Sequence, residues 1–156
     1  MNHTATPADV LRQFRIVFNA VRTHFQQVEM QAGLGGAQVW ALSLVRDHPG
    51  IGIGELARRM DIHQSTASNL VKTLVKREMV AVARGAEDRR SVELRILAAG
   101  QLSLGKVPGP FEGVLPDALA RLPQATLERL GEDLSVLIDA LEADAEAGQI
   151  PLGRSG

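Results

Sequence analysis

Polar and basic side chains share one face of the helix predicted for residues 64–77. Their hydroxyl and amide groups can pair with base edges, and their ammonium groups can reach phosphates. This predicted DNA-binding face consists of Gln64, Ser65, Thr66, Ser68, Asn69, Lys72 and Lys76. Small polar residues come first and lysines last, which suits a helix whose N-terminal part enters the major groove of DNA.

The opposite face of this helix is apolar and predicts how the helix is held. Ala67, Leu70, Val71 and Leu74 recur at helical spacing and can pack inward. A shorter helix is predicted just before it, at residues 54–60, and residues 61–63 are too few for more than a turn. Helix, turn and polar-faced helix together predict a helix-turn-helix.

A basic β-hairpin is predicted directly after the second helix. Val80 and Val82 favour a strand, and residues 91–96 alternate polar and apolar side chains. Such a hairpin is a wing, and its arginines could enter the negatively charged minor groove. The predicted wing contacts are Arg84, Arg89 and Arg90, with Asp88 placed to hold Arg90 extended.

These motifs resemble the MarR (multiple antibiotic resistance regulator) family of bacterial transcription regulators, over about residues 10–145. The most specific matches are the runs GELA at 54–57, STASNLV at 65–71, VAVAR at 80–84 and EDRRSV at 87–92. The resemblance implies a homodimeric repressor or activator whose wing-tip residue is Arg90. Two positions depart from the family pattern, because Glu78 replaces a helix-ending glycine and Leu97 replaces a capping threonine. We expect a costlier turn at Glu78 and a lost helix cap at Leu97.

Apolar stripes near the two ends of the chain predict a dimerisation layer. In the first helix and in the last, apolar residues alternate spacings of three and four, which is a heptad pattern. The predicted dimerisation residues are Leu11, Phe14, Phe18 and Val21, together with Leu130, Leu134, Leu137 and Leu141. A second copy would set two reading helices roughly 34 Å apart, on a pseudo-palindromic site in double-stranded DNA. The alternative is an intramolecular helical hairpin in a monomer.

The predicted fold is mainly α, with a small β-hairpin wing and a helical dimerisation layer built from the N- and C-terminal helices. We divide the chain into an N-terminal dimerisation helix (1–35), a winged helix-turn-helix region (36–97), C-terminal dimerisation helices (98–146) and a flexible tail (147–156). Prolines 108 and 110 and glycines 105, 109 and 113 must break the helix that begins after residue 97. This break could be a hinge or a static bend.

Charge and composition fit a regulator that works inside the cell. The net charge is only −1, but residues 58–95 carry nine basic and five acidic side chains, whereas residues 111–146 carry nine acidic and two basic ones. This asymmetry would orient the molecule on DNA. The chain has no cysteine, which excludes disulfides and thiolate metal sites. The polar N-terminus and the lack of a long apolar run predict a cytoplasmic, nucleoid-associated bacterial protein without membrane contact.

A small aromatic or phenolic ligand is expected from the resemblance, because many relatives bind such acids between the dimer layer and the winged domain. The candidate effector residues are Arg15, His24, Phe25 and Trp40. The alternative, which helical spacing favours, is that Phe25 and Trp40 are core residues. The four histidines show no paired ligand spacing, so we expect no metal and no cofactor.

Enzyme activity is not expected. The glycines at 33, 35 and 36 lack the lysine of a phosphate loop, and no catalytic constellation is present. Two alternatives remain to a repressor that leaves DNA when a ligand binds. One is a winged-helix protein-interaction module without specific DNA binding, and the other is a DNA-binding architectural factor without a sensor.

Overall fold

The computed structural model describes residues 3–85 and 91–153. Seven α-helices, a two-stranded sheet and a 3-10 helix make up the described residues. They are α1 (Pro7–Ala32), α2 (Gly36–Asp47), α3 (Ile53–Met60), α4 (Gln64–Lys76), β1 (Val80–Arg84), β2 (Val92–Ile96), α5 (Ala98–Gly105), α6 (Val114–Ala120), α7 (Gln124–Ala140) and the 3-10 helix Ala145–Gln149. The predicted mainly α fold with a small hairpin is confirmed.

The long first helix has strong signals at both ends. Thr6 caps its N-terminus: the hydroxyl accepts a bond from the backbone N–H of Asp9, and the Asp9 carboxylate accepts one from the backbone of Thr6. Pro7 then occupies the first turn, where its missing N–H costs nothing. Gly33 ends the helix in the left-handed conformation, with φ of 66°.

The hydrophobic core lies in the middle of the chain. Helix α2 supplies Leu42, and α3, α4 and β2 supply Leu56, Leu74 and Leu94, all of which are fully buried. These elements fold around α2, which contacts α3, α4, α5 and β2. The core therefore holds the helix-turn-helix and the hairpin as one packed unit.

The hairpin is antiparallel and joined to the helical core. Val80 pairs with Ile96 and Arg84 with Val92. Ile51, just before α3, extends the sheet because its carbonyl accepts the N–H of Leu94 at 2.9 Å. The predicted wing strands are confirmed, and the tip at residues 86–90 lies outside the described residues.

Two non-glycine residues adopt the left-handed conformation at the ends of helices α3 and α4. Asp61 (φ 53°) ends α3 and begins the predicted turn to α4. Glu78 (φ 59°) turns the chain from α4 into β1. The expected strain at Glu78 is therefore present, since a side chain in this conformation is disfavoured relative to glycine.

The two other sequence expectations in this part of the chain also hold. Helix α5 begins after Leu97, which gives it no side-chain cap. It ends at Gly105, and α6 begins only at Val114, so the predicted break is confirmed. Within the break, Val107 is buried, and Phe111 packs against the core and lies 5.0 Å below the guanidinium of Arg46.

The outer helices are much less covered than the core. Helix α7 buries none of its residues, and in α1 only Val28 is buried. Both helices keep large apolar side chains at the surface. Among the described helices, none is long and apolar enough to cross a membrane.

Candidate nucleic-acid interface

Helices α3 and α4 pack against each other and fix which face of α4 points outward. On α3, Leu56, Ala57 and Met60 are buried, as predicted from their spacing. On α4, the same is true of Ala67, Leu70, Val71 and Leu74. With these four residues held in the core, the polar face of α4 is turned away from the core.

The outward face carries six of the seven α4 residues that the sequence nominated for DNA contact. Five are exposed and Ser68 is half-buried; the five are Gln64, Ser65, Asn69, Lys72 and Lys76. Thr66 is the exception, because it is buried beside Ala37 and Gln38 of α2. Successive side chains of a helix are rotated by about 100° around its axis. Thr66, one residue after Ser65, therefore lies at the edge of the polar face that borders the core. The candidate interface therefore excludes Thr66.

The cations of this face have no acidic partner among the described residues. Lys72 and Lys76 are exposed and form no ion pair with another described residue. The same is true of Arg84 on β1. In contrast, Arg58 and Arg59 both pair with Glu55, at 2.5 and 3.1 Å. The hydrogen bond from Arg58 holds the pKa of Glu55 below its ordinary value.

The remaining wing residues nominated from sequence are Asp88, Arg89 and Arg90. All three lie outside the described residues. Their predicted roles in the minor groove stay predictions.

Arg77 ties the end of α4 to the end of α1, a contact that sequence reasoning did not find. Its guanidinium donates a hydrogen bond of 2.5 Å to the carbonyl oxygen of Gly33. The two residues are 44 positions apart, so no local pattern could reveal the pairing. The contact links the helix expected to form the dimer layer with the helix expected to read DNA.

A cavity of about 390 Å³, which we call the effector cavity, lies between α1, α2 and α6, where the sequence analysis expected a ligand. Phe25 and Trp40 both line it, so the structure brings these two candidates together. Arg15 instead lines a shallow groove on α1 with Phe18 and Arg22. His24 lies beside the Phe25 ring, with 5.7 Å between ring centroids. Burial lowers the pKa of His24, which disfavours its charged form.

The ionisable side chains that do line this cavity are acidic. They are Asp61, at the end of α3, and Glu112, just before α6. Most of the other lining residues are apolar, including Met60, Ile62 and Leu119. The expectation that Arg15 or His24 would meet an acid here has no support from this geometry. Nothing in the local sequence marks Asp61 or Glu112 as cavity residues, because they lie on two segments that are about fifty residues apart and meet only in the fold.

The nominated dimerisation residues are largely uncovered. Leu11 is 49% exposed, Phe18 65% and Leu141 66%, and Leu130 and Leu137 are also exposed. Phe14, Val21 and Leu134 are half-buried. Phe14 contacts Phe18, with ring centroids 5.9 Å apart. Apolar side chains left in this state form a surface that a further protein surface could cover.

A family model described as "MarR family" matches residues 32–91 of the chain. This region contains α2, α3, α4 and β1. The match confirms the resemblance stated from the sequence motifs.

Individual relatives agree with the family match. The chain is 19% identical over 137 residues to the HTH-type transcriptional repressor MdtR of Bacillus subtilis (strain 168), and the alignment covers 88% of each chain. The crystal structure of a MepR-like protein complexed with pseudoligands superposes with a TM-score of 0.58 at 18% identity, covering 91% of this chain and 95% of the other. The S. aureus MepR–DNA complex also gives 0.58, at 16% identity, covering 88% and 99%. These structures establish the winged-helix fold.

Proposed function

We propose that the chain is a homodimeric repressor of MarR type that binds a pseudo-palindromic DNA site, because the family model described as "MarR family" matches residues 32–91. The observation that carries the proposal is the outward face of α4. It combines exposed hydrogen-bonding side chains with two lysines that have no acidic partner among the described residues. Such a face matches the groups that double-stranded DNA presents.

In the proposed complex, the N-terminal part of α4 enters the major groove. Ser65 and Asn69 can then hydrogen-bond to base edges, while Lys72 lies one helical turn further toward a phosphate. Arg84 lies on β1, where the wing leaves the core. Its guanidinium is proposed to lie near the phosphates of the DNA backbone, as the lysines of α4 do. Arg90 is proposed for the minor groove on the strength of the sequence resemblance alone.

A second copy is proposed to cover the apolar surfaces of α1 and α7. Both helices have a heptad pattern, and α7 buries no residue within its own chain. Leaving these side chains in water would forgo roughly 25 cal/mol for each Å² of apolar surface. The acidic balance of residues 111–146 would face away from DNA, so the dimer layer does not compete for phosphate.

Repression would follow from occupancy of the site, because a bound dimer blocks polymerase. Release by a small molecule is proposed for the cavity that Phe25 and Trp40 line. Its volume of about 390 Å³ lies within the range of drug-sized ligand pockets. The carboxylates of Asp61 and Glu112 favour an uncharged or cationic aromatic guest over an aromatic acid.

The charge preference of the cavity can be tested with three guests of one shape. Trp40 is the only tryptophan of the chain and lines the cavity, so its fluorescence reports occupancy. We expect 2-naphthamidinium and 2-naphthamide to bind more tightly than 2-naphthoate. Preferential binding of the naphthoate would instead restore the acid-binding site expected from the sequence.

The DNA-binding function is tested by selecting bound duplexes from a random library. We expect enrichment of a two-fold symmetric motif, with half-sites about one helical turn apart. Repeating the selection with Asn69→Ala should relax base preference at one symmetric pair of positions, since that side chain faces the groove. Thr126→Ala, on the distant helix α7, is the control and should return the wild-type motif.

The same selection separates the proposal from a protein-interaction module. A winged helix that docks a protein has no need for a polar face flanked by lysines that form no ion pair with the other described residues. Binding without any motif, lost at moderate salt, would favour that alternative. A symmetric motif that no small molecule weakens would favour the architectural factor.

A further inference from the structure

The segment of residues 150–153 folds back over the effector cavity. It follows the 3-10 helix Ala145–Gln149 and reaches α1, more than a hundred residues away in sequence. Ile150, Pro151 and Leu152 line the cavity together with Phe25 and Trp40. The sequence predicts a flexible tail at residues 147–156. In the structure, residues 150–153 of this stretch lie against the core.

Gly153 lies close against the Phe25 ring of α1. Its φ of 74° is the left-handed conformation that favours glycine. A methyl group built on this residue would lie 2.9 Å from Cε1 of the Phe25 ring, closer than real Cβ atoms approach. Gly153 therefore packs its bare backbone on the ring. Gly113 approaches the same ring from α6, with its corresponding position 3.8 Å away.

Gly153 also reaches the DNA-reading helix. A second, smaller cavity of about 160 Å³ is lined by Gly153 and by Thr66, Asn69 and Thr73 of α4. One face of the segment thus borders the effector cavity, and its end borders the flank of α4. A guest in the effector cavity would therefore contact a segment whose last described residue, Gly153, also borders α4.

The segment is held by limited contact. Ile150 remains 47% exposed and Leu152 57% exposed, so each keeps about half of its surface in water. Small buried apolar area is typical of segments that open locally at low cost. The segment can therefore leave the cavity without unfolding the core.

We propose that residues 150–153 form a strap over the Phe25 ring of the effector cavity and that a guest that stacks on this ring must displace the strap. The closed strap and the bound guest then exclude each other. A change that stabilises the closed strap therefore weakens the binding of the guest by the same factor. The proposal rests on the cavity named under Proposed function, but its test reads the strap directly and needs no DNA. Failure of DNA binding would leave that test unaffected.

The test compares Gly153, within the segment, with Gly148 of the preceding 3-10 helix. Gly153→Ala places a methyl group against Phe25 and requires a strained φ, whereas a methyl group at Gly148 meets nothing within 4 Å. Acrylamide quenching of Trp40 measures how open the cavity is. We expect Gly153→Ala, and a chain that stops after Gln149, to raise the quenching constant about twofold through local opening. Gly148→Ala should match the wild type.

Dye binding tests the competition itself. The neutral dye N-phenyl-1-naphthylamine can be followed by energy transfer from Trp40. A strap closed nine-tenths of the time would weaken the dye about tenfold, so the chain stopping after Gln149 should bind it about tenfold more tightly than the wild type. Unchanged quenching in both strap variants, an equal rise in Gly148→Ala, or equal dye affinity with and without residues 150–156 would overturn the proposal.

Discussion

Substitution of Lys72 by glutamine should flatten the salt dependence of DNA binding. Lys72 is exposed on the outward face of α4 and has no ion-pair partner among the described residues. A lysine in this state can release a counterion from DNA when it neutralises a phosphate. Glutamine keeps the length and polarity of much of the side chain and removes only the charge.

The magnitude follows from the proposed dimer. Each substitution removes two phosphate contacts, one for each protomer, and each contact contributes about 0.9 to the slope of log K against log salt, so the slope should fall by about 1.8. Between 50 and 200 mM salt, the ratio of wild-type to variant affinity should shrink about twelvefold, because that is a fourfold change raised to the power of about 1.8. Lys76→Gln should behave alike.

The assay is fluorescence anisotropy of a labelled duplex at four or five salt concentrations. Arg129→Gln is the matched control, because Arg129 is an exposed cation on α7, far from the reading helix in the chain. Its slope should equal that of the wild type. A wild-type slope for Lys72→Gln would show that this side chain does not neutralise phosphate, and a loss confined to certain sequences would mean that it reads bases.

Four further predictions concern the wing, the turn, the dimer and pH. Arg90→Ala should weaken operator binding by about 1 to 3 kcal/mol at matched salt with the dimer intact, and unchanged affinity would remove the wing from the mechanism. Glu78→Gly should stabilise the fold by about 1 kcal/mol by relieving the left-handed φ, raising Tm by about 2 to 4 °C in a calorimetric scan; a lower Tm would contradict the strain. Leu137→Glu should halve the sedimenting mass by charging the exposed stripe of α7, and an unchanged mass would place the interface elsewhere. Burial lowers the pKa of His24, so the unfolded chain takes up this proton at higher pH and the free energy of unfolding should fall as pH drops below about 6.5; His24→Gln should lessen that fall in denaturant titrations, and an equal fall would assign it to other groups.

Local patterns were sufficient to predict the helix-turn-helix and the buried faces of its helices. The apolar spacing of Leu70, Val71 and Leu74 fixes the buried face of α4, because a helix repeats every 3.6 residues. The strands of the wing follow in the same way from their alternation. Thr66 was nominated as a DNA contact, and its burial was not predicted because it lies at the edge between two faces, where the packing of α2 decides its exposure.

Contacts between distant segments were beyond the reach of these patterns. Three features join parts of the chain that are far apart in sequence. They are the hydrogen bond from Arg77 to Gly33, the acidic residues that line the effector cavity, and the packing of Gly153 on the Phe25 ring. Periodicity describes which face of an element is apolar, but not which element will cover it. The two acidic residues of the cavity lining, Asp61 and Glu112, are the clearest example, since the sequence marks neither as a cavity residue.

The most direct test of the account is the stoichiometry of the protein on its selected duplex. Sedimentation of the complex should give two chains on a duplex with both half-sites. A duplex with one half-site scrambled should bind far more weakly, since the dimer then loses one set of base contacts. One chain bound for each duplex, with equal affinity for the intact and scrambled sites, would contradict a dimer that reads two half-sites at once.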